Sequence, residues 1–264
     1  MTGSEIVIGT QSLGTDDWMG RFYPPDLASR DRIVFYGQVF DILELNVTFY
    51  APLSRYVIRS WLERTPASLR FSAKLPKAIT HDKRLADVQD ELDGFIASMR
   101  QFGQRLEACV IQLPPSFDRS SEDDLRAFLA RLPDDMAFSC EFRHPSWQHP
   151  DTLALLHDHG VAWCMNEYRD LPPSSEITTD WSYVRLNGYH EHNRAAPGPV
   201  PEREDDLAYW ADLLANLPAV VKRTYVLIND HYAGHAPDTA NDLKRRLDLP
   251  LVEPHDLWGT LPLA

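Results

Sequence analysis

The sequence lacks the segments that would carry a chain into or across a membrane. No run of about 18 apolar residues occurs, although 44% of the residues are hydrophobic, so we expect no transmembrane helix. The N-terminal residues, MTGSEIVIGT, do not match a signal peptide, because no basic stretch precedes an apolar one. Cysteine is scarce: Cys109, Cys140 and Cys164 are widely spaced within apolar runs. This pattern is typical of reduced, buried thiols, and it predicts a cytoplasmic location without a membrane partner.

Motifs of common cofactor and metal sites are also missing. The chain contains no G-x-G-x-x-G, no P-loop, no G-x-S-x-G and no H-E-x-x-H, so we expect neither a cofactor nor a metal ion. Basic runs are absent as well, and the formal net charge is −13. Since such a protein repels a phosphate backbone, the sequence disfavours a nucleic-acid partner. The composition leaves the oligomeric state open.

Short apolar runs recur along the chain and predict strands. They cover residues 6–12, 42–50, 69–76, 108–115, 137–143, 161–167, 182–188 and 224–230. Segments with helical spacing, such as EDDLRAFLARL and DLAYWADLLANL, lie between most of them. Strands and helices in alternation over this length predict an α/β fold, a single (β/α)8 TIM-type barrel over residues 1–264. We expect an irregular tail from about residue 249 to residue 264.

The second run, ILELNVTFY, alternates between polar and apolar residues. Glu44 and Asn46 share one parity, whereas Leu43 and Leu45 share the other. On a surface hairpin the polar parity would face water. A barrel strand buries both faces, so we expect the polar parity to point into the barrel. The carboxyl end of such a strand reaches the mouth, where barrel active sites lie.

Nearly every other predicted strand ends in a polar residue on one parity. These residues are Lys74, Gln112, Glu141, Arg143, Asn166, Arg185 and Asn229. Strand one is less clear, with Gln11 or Ser12 near its end. Burying so many polar groups costs several kcal/mol per unpaired ion, unless they satisfy one another or contact a ligand. We therefore predict that the set, with Glu44 and Asn46, lines a binding pocket.

The charges in this set favour an anionic ligand. Lys74, Arg143 and Arg185 are cations and Glu44 and Glu141 are anions, whereas the protein as a whole is strongly negative. Arginine holds a carboxylate or a phosphate through its planar fork. We predict a small polar or anionic molecule as the ligand, with Arg185 as its main holder. The alternative is that Arg185 pairs with Glu44 or Glu141 in a closed structural network.

The same residues provide candidates for proton transfer. Glu44 or Glu141 would be the general base, and His81, in the segment KLPKAITHDKRL, would be the acid. The amides expected to orient the substrate are Asn46, Gln112, Asn166 and Asn229. The alternative for His81 is a solvent-facing residue beside a helix cap at Thr80 or Asp82. Two other functions fit the pocket: a non-catalytic metabolite-binding protein, and a metal-dependent isomerase or phosphodiesterase-like enzyme.

An aromatic loop follows the first strand. It has the sequence GTQSLGTDDWMGRFYPP and carries Trp18, Phe22 and Tyr23. These rings would form a wall for a ligand ring or sugar, or would pack a long loop against the barrel. The sequence leaves both interpretations open.

Several motifs together resemble one known family. They are W-x-G-x-F-Y-P (18–24), E-L-N-V-T-F-Y (44–50), F-S-A-K-L-P with I-T-H (71–81), Q-L-P-P-S-F (112–117), E-F-R-H-P-S-W (141–147), Y-V-R-L-N-G (183–188) and N-D-H-Y-A-G-H-A-P (229–237). On these motifs the chain resembles the YecE-like family, domain of unknown function 72. The resemblance implies a TIM-type barrel and supplies no reaction. The chain has Asn166, Asn187 and Asp230 where the family pattern has Asp, His and Asn, which would alter an acid–base activity at the first two positions.

Overall fold

Eight parallel strands close into a barrel. A computed structural model describes residues 4–14, 16–167, 171, 173–188 and 203–259. The strands are β1 (Glu5–Thr10), β2 (Ile42–Leu45), β3 (Arg70–Lys74), β4 (Leu106–Gln112), β5 (Phe138–Glu141), β6 (Ala162–Glu167), β7 (Trp181–Leu186) and β8 (Arg223–Ile228). Each strand pairs with the next, and β8 pairs with β1 from Glu5↔Arg223 to Thr10↔Ile228. The predicted TIM-type barrel is therefore confirmed.

In the described ranges, six helices lie between strands along the chain, and two follow the last strand. They are α1 (Arg32–Val39), α2 (Arg55–Arg64), α3 (Gln89–Met99), α4 (Glu122–Leu129), α5 (Pro150–Asp158), α6 (Glu204–Ala215), α7 (Asp230–Ala233) and α8 (Ala236–Arg246). The sequence did not predict α2, because Ile58 is its single buried residue and its apolar stripe is correspondingly thin. Between β6 and β7, residues 171 and 173–180 contain no helix, so the strict alternation is interrupted there.

The second strand ends earlier than its sequence pattern predicts. It stops at Leu45, and Asn46–Phe49 form a 3-10 turn over the rim of the barrel. The Thr48 hydroxyl lies 2.6 Å from the carbonyl oxygens of both Leu45 and Lys74, which ties this turn to β3. The assignment of Asn46 to the inward face of a strand is therefore wrong. Its Nδ2 donates to the carbonyl oxygen of Gln11 at 2.8 Å, at the rim.

The aromatic loop packs against the barrel instead of lining a ligand site. Trp18, Phe22 and Tyr23 are all fully buried. The indole Nε1 of Trp18 donates to Asp230 at 2.9 Å, and the same carboxylate oxygen accepts the backbone N–H of Ala236 at 2.9 Å. Asp230 thus joins the loop after β1 to the first turn of α8.

The C-terminal segment covers one end of this loop. Pro254–Leu257 form a 3-10 turn, and the indole Nε1 of Trp258 donates to the Phe22 carbonyl oxygen at 3.3 Å. Residues 260–264 of the predicted irregular tail lie outside the described residues. Within the described ranges, no helix is long and apolar enough to span a bilayer.

Candidate active site at the barrel mouth

Arg185 joins two buried carboxylates beneath the mouth. Its Nε and Nη2 donate to the two carboxylate oxygens of Glu44 at 3.0 and 2.7 Å, and its Nη1 donates to Glu141. A second bond from Nη2 reaches the side-chain oxygen of Gln11 at 3.0 Å. The guanidinium is 2% exposed and both carboxylates are 0% exposed. The paired arrangement, which was the alternative for Arg185, is the one that the structure shows.

Glu44 has a second, neutral donor. The Tyr183 hydroxyl donates to Glu44 at 2.8 Å, and the Ser72 hydroxyl lies 2.6 Å from the tyrosine oxygen. All three side chains are buried. They come from β7, β2 and β3, whose inward parities converge because the barrel is closed. This set fixes the Glu44 carboxylate in one orientation.

Glu141 is held by a second cation. Arg143 Nε donates to it at 2.8 Å, and the Asn187 amide lies 3.4 Å from the same oxygen. Burial raises the pKa of Glu141, but the charges of Arg185 and Arg143 outweigh burial and hold it at about 2. A carboxylate with so low a pKa and no exposure is a poor proton acceptor. The geometry therefore runs against the general-base role expected of Glu141.

Lys74 lies above this network at the carboxyl end of β3. Its ammonium nitrogen is 3.7 Å from the centre of the Phe49 ring, and the side chain is partly buried. In the part of the chain that the structure describes, no carboxylate forms an ion pair with it. Burial lowers the pKa of Lys74, and the charges of Arg185 and Arg143 lower it further, to about 7, against the opposite effect of Glu141.

His81 shares the Phe49 ring with Lys74. It belongs to the π-helical turn Ala78–Asp82, and its ring centre lies 4.9 Å from that of Phe49 in an edge-to-face arrangement. Its Nδ1 is 2.9 Å from the Thr80 hydroxyl. Burial lowers the pKa of His81 to about 4, with the charge of Lys74 as the next cause. The imidazole is therefore neutral at pH 7, whereas the predicted acid role requires a protonated ring.

The four predicted amides have different surroundings. Gln112 and Asn166 are buried and donate to backbone carbonyl oxygens at 2.9 and 3.2 Å. Asn229 donates to the Gln11 side chain at 3.1 Å and caps α7. Asn46 lies at the rim, and its buried Oδ1 has no hydrogen-bond partner among the described residues.

The predicted residues thus form two layers. The lower one is buried and consists of Glu44, Gln112, Glu141, Asn166 and Arg185. The upper one is partly exposed and consists of Asn46, Lys74, His81, Arg143 and Asn229. A molecule entering from the mouth would contact the upper layer first.

The sequence analysis missed two residues of the site, Tyr183 and Phe49, and left Gln11 uncertain. Tyr183 has the inward parity of Arg185 two residues later, so the strand period would have found it. Gln11 follows the last residue of β1 and was one of two candidates there. Phe49 was not a candidate, and the 3-10 turn brings its ring into contact with both Lys74 and His81.

The carboxylates do not form a metal centre with other ligands. Arg185 bridges Glu44 and Glu141, so its cationic side chain occupies the space between them. No three His, Cys, Asp or Glu side chains within the described ranges are placed to hold an ion.

The sequences of known proteins match either nearly the whole of this chain or about half of it. The family model "Protein of unknown function DUF72" matches residues 7–257. The UPF0759 protein YunF of Bacillus subtilis (strain 168) is 26% identical over 271 residues, which cover 92% of this chain and 95% of YunF. The UPF0759 protein YecE of Escherichia coli O157:H7 is 31% identical over 153 residues, 55% of this chain and 56% of YecE.

Crystal structures of similar proteins show the same barrel. A DUF72 family protein from Thermotoga maritima MSB8 is 29% identical, with a TM-score of 0.77 over 92% of this chain and 99% of that one. Another from Enterococcus faecalis V583 is 16% identical, with a TM-score of 0.75 over 94% and 99%, and this likeness concerns the fold alone. Because the family model spans nearly the whole sequence, the chain belongs to the DUF72 family.

Proposed function

We propose that the barrel mouth binds a small polar molecule with an anionic group and acts on it as an enzyme, with Lys74 as the principal cation. The observation that carries this proposal is the partly buried ammonium of Lys74, which no carboxylate in the described residues neutralises. Burying an unpaired cation is unfavourable. An anionic ligand would supply the missing counter-charge.

Arg185 has a different role in this proposal. Its donors bind Glu44, Glu141 and Gln11, and it is almost inaccessible. It therefore organises the floor of the site, and its charge acts on Lys74 from below. Arg143, which is 15% exposed, connects this floor to the rim through Glu141. Together the cations Lys74 and Arg143 favour an anion at the mouth.

Proton transfer falls to His81 in this arrangement. The imidazole is neutral at pH 7 because burial and the neighbouring Lys74 hold its pKa at about 4. A neutral imidazole accepts a proton. An anion bound beside Lys74 and His81 would raise the pKa of both, so substrate binding would favour that transfer.

A non-catalytic metabolite-binding protein is the second candidate. Asn166 and Asn187 are amides, which neither donate nor accept protons in general acid–base catalysis, and they favour this alternative. Turnover of a panel of small carboxylates and phosphates would separate the two functions. A cytoplasmic location belongs to either proposal and is supported by three cysteines that are free and buried.

A thermal-unfolding experiment tests the anion site. Inorganic phosphate is titrated into the wild type, Lys74→Met and the matched control Lys77→Met. Lys77 follows Lys74 by three residues but is 52% exposed and pairs with Asp82 at 2.8 Å. At a phosphate concentration ten times Kd, mass action stabilises the protein by about 1.4 kcal/mol. For a protein of this size, that amount raises Tm by roughly 3–6 °C.

The variants separate specific binding from general salt effects. Phosphate also stabilises proteins by exclusion from their surface, and Lys74→Met retains that contribution. We expect a saturable rise in the wild type and in Lys77→Met, and only the exclusion effect in Lys74→Met. An equal response of all three proteins would show that Lys74 does not hold the anion.

A further inference from the structure

Lys74 differs from the other four lysines of the chain in its surroundings. Three of them form ion pairs at the surface: Lys77 with Asp82 at 2.8 Å, Lys83 with Glu91 at 2.6 Å, and Lys222 with Asp180 at 2.7 Å. The fourth, Lys244, is 6% exposed and lies 5.0 Å from the centre of the Phe40 ring. Among the five, Lys74 combines access from the barrel mouth with neighbouring cations and, in the described residues, no carboxylate partner.

These surroundings favour a neutral amine at position 74. The Phe49 ring, 3.7 Å from the nitrogen, favours the ammonium ion through its π face, whereas burial and the positive charges of Arg185 and Arg143 act against a charge there. Burial is the largest influence, and with these charges it brings the pKa of Lys74 from 10.5 to about 7. At pH 7 the neutral fraction is then roughly a thousandfold larger than that of an ordinary lysine. A desolvated lysine beside another cation is a recognised form of activated nucleophile.

We propose that Lys74 is a covalent amine that condenses with the carbonyl group of a small 2-oxo carboxylate, an inference that rests on the anion site proposed above. A 2-oxo carboxylate carries its negative charge next to the reacting carbonyl carbon. Its carboxylate would lie beside the charge of Arg143 while the carbonyl meets the neutral amine of Lys74. His81, whose ring packs edge-to-face against the same Phe49 ring at 4.9 Å, is close enough to both cations to feel their charge.

The condensation involves no oxidation or reduction. The Nζ lone pair forms a bond to the carbonyl carbon as the π bond of the carbonyl breaks. The two amine protons pass to the oxygen, which leaves as water, and a C=N bond remains between Lys74 and the substrate. In this proposal the neutral imidazole of His81 takes a proton from nitrogen and returns it to oxygen. A solvent proton then gives the iminium ion.

Reductive trapping tests this inference on the wild-type protein. The full chain is incubated at pH 7 with pyruvate and sodium cyanoborohydride, and modified lysines are mapped by peptide mass spectrometry. We expect at least a tenfold higher modification of Lys74 than of Lys77, Lys83 or Lys222. Phosphate should suppress this modification. Lys74→Arg keeps the positive charge but cannot condense, so it should lose the label and keep its Tm response to phosphate, whereas Lys77→Arg should keep both.

The outcomes distinguish the two proposals. If phosphate raises Tm through Lys74 but pyruvate leaves Lys74 unmodified, the anion site stands and the covalent amine is refuted. If acetone, a neutral ketone, labels Lys74 as well as pyruvate does and phosphate has no effect, the amine is reactive but the anion site fails, and with it the 2-oxo carboxylate. Modification spread evenly over the exposed lysines overturns the inference.

Discussion

Replacing Arg185 with methionine removes the guanidinium that joins two buried carboxylates. Glu141 keeps its bond from Arg143 at 2.8 Å. Glu44 loses both of its guanidinium bonds and keeps the Tyr183 hydroxyl at 2.8 Å. Both carboxylates are 0% exposed, so water does not replace the lost donors. Glu44 is therefore the charge that Arg185→Met strands.

The expected loss of stability is large. Breaking a buried ion pair by removing one partner costs about 3–5 kcal/mol, because the other charge is left in the interior. For a chain of this length that corresponds to a fall in Tm of roughly 6–20 °C. A ligand-binding arginine without structural partners would instead change the free energy of unfolding by about 0.5 kcal/mol or less.

Urea unfolding of a double variant identifies the stranded charge. In Glu44→Gln/Arg185→Met the side chain at position 44 is neutral. We expect this variant to recover about 0.5–3 kcal/mol relative to Arg185→Met alone, which is the range of coupling between contacting residues. Glu44→Gln alone should be destabilised, because it leaves the Arg185 charge incompletely compensated.

The pH dependence of the free energy of unfolding provides a second test of the role of Arg185. In Arg185→Met, Glu44 is a charge buried without a cationic partner, and uptake of a proton by the folded state relieves it. The folded state then binds more protons, so the deficit relative to wild type should shrink as pH falls from 7 to 5. A loss below about 1 kcal/mol that is constant over this range would refute the proposed role of Arg185.

Three further predictions concern single groups. The pKa of Glu141 is about 2 in the folded protein, below its ordinary value of 4.5, so the wild type should lose about 3 kcal/mol of stability as pH falls through this window. Glu141→Gln should lose that dependence in acid titrations followed by circular dichroism. The pKa of Lys74 is lowered to about 7, so its contribution to the free energy of unfolding should rise from pH 7 to pH 10.5. The free energy of unfolding of Lys74→Met should lack this rise. Asp230→Ala should cost about 1–3 kcal/mol in urea unfolding, because it removes the acceptor for Trp18 and for the Ala236 N–H. Asp230→Asn retains a side-chain oxygen and should cost less than Asp230→Ala; equal losses would contradict this account.

The strand period alone determined which side chains enter the barrel. Successive residues of a strand point to opposite faces whatever surrounds them, and Glu44, Glu141 and Arg185 therefore share the inward parity that the sequence indicated. Recurrent apolar runs separated by helical spacing likewise determined the barrel, because both periods are local properties of the chain. The early end of β2 could not be predicted from the local sequence. It depends on the contact of Thr48 with the Lys74 carbonyl oxygen on the neighbouring strand.

Only the tertiary structure decided how the inward residues are paired and charged. From the sequence, Arg185 could bind either a ligand or the two carboxylates. Closure of the barrel brings Glu44, Glu141 and Gln11 within reach of its guanidinium. Both carboxylates of the lower layer therefore bind Arg185. Lys74 lies above them against Phe49, without an ion-pair partner among the described residues. A pKa depends on burial and on charges from distant segments, so no local pattern could have revealed that of Lys74.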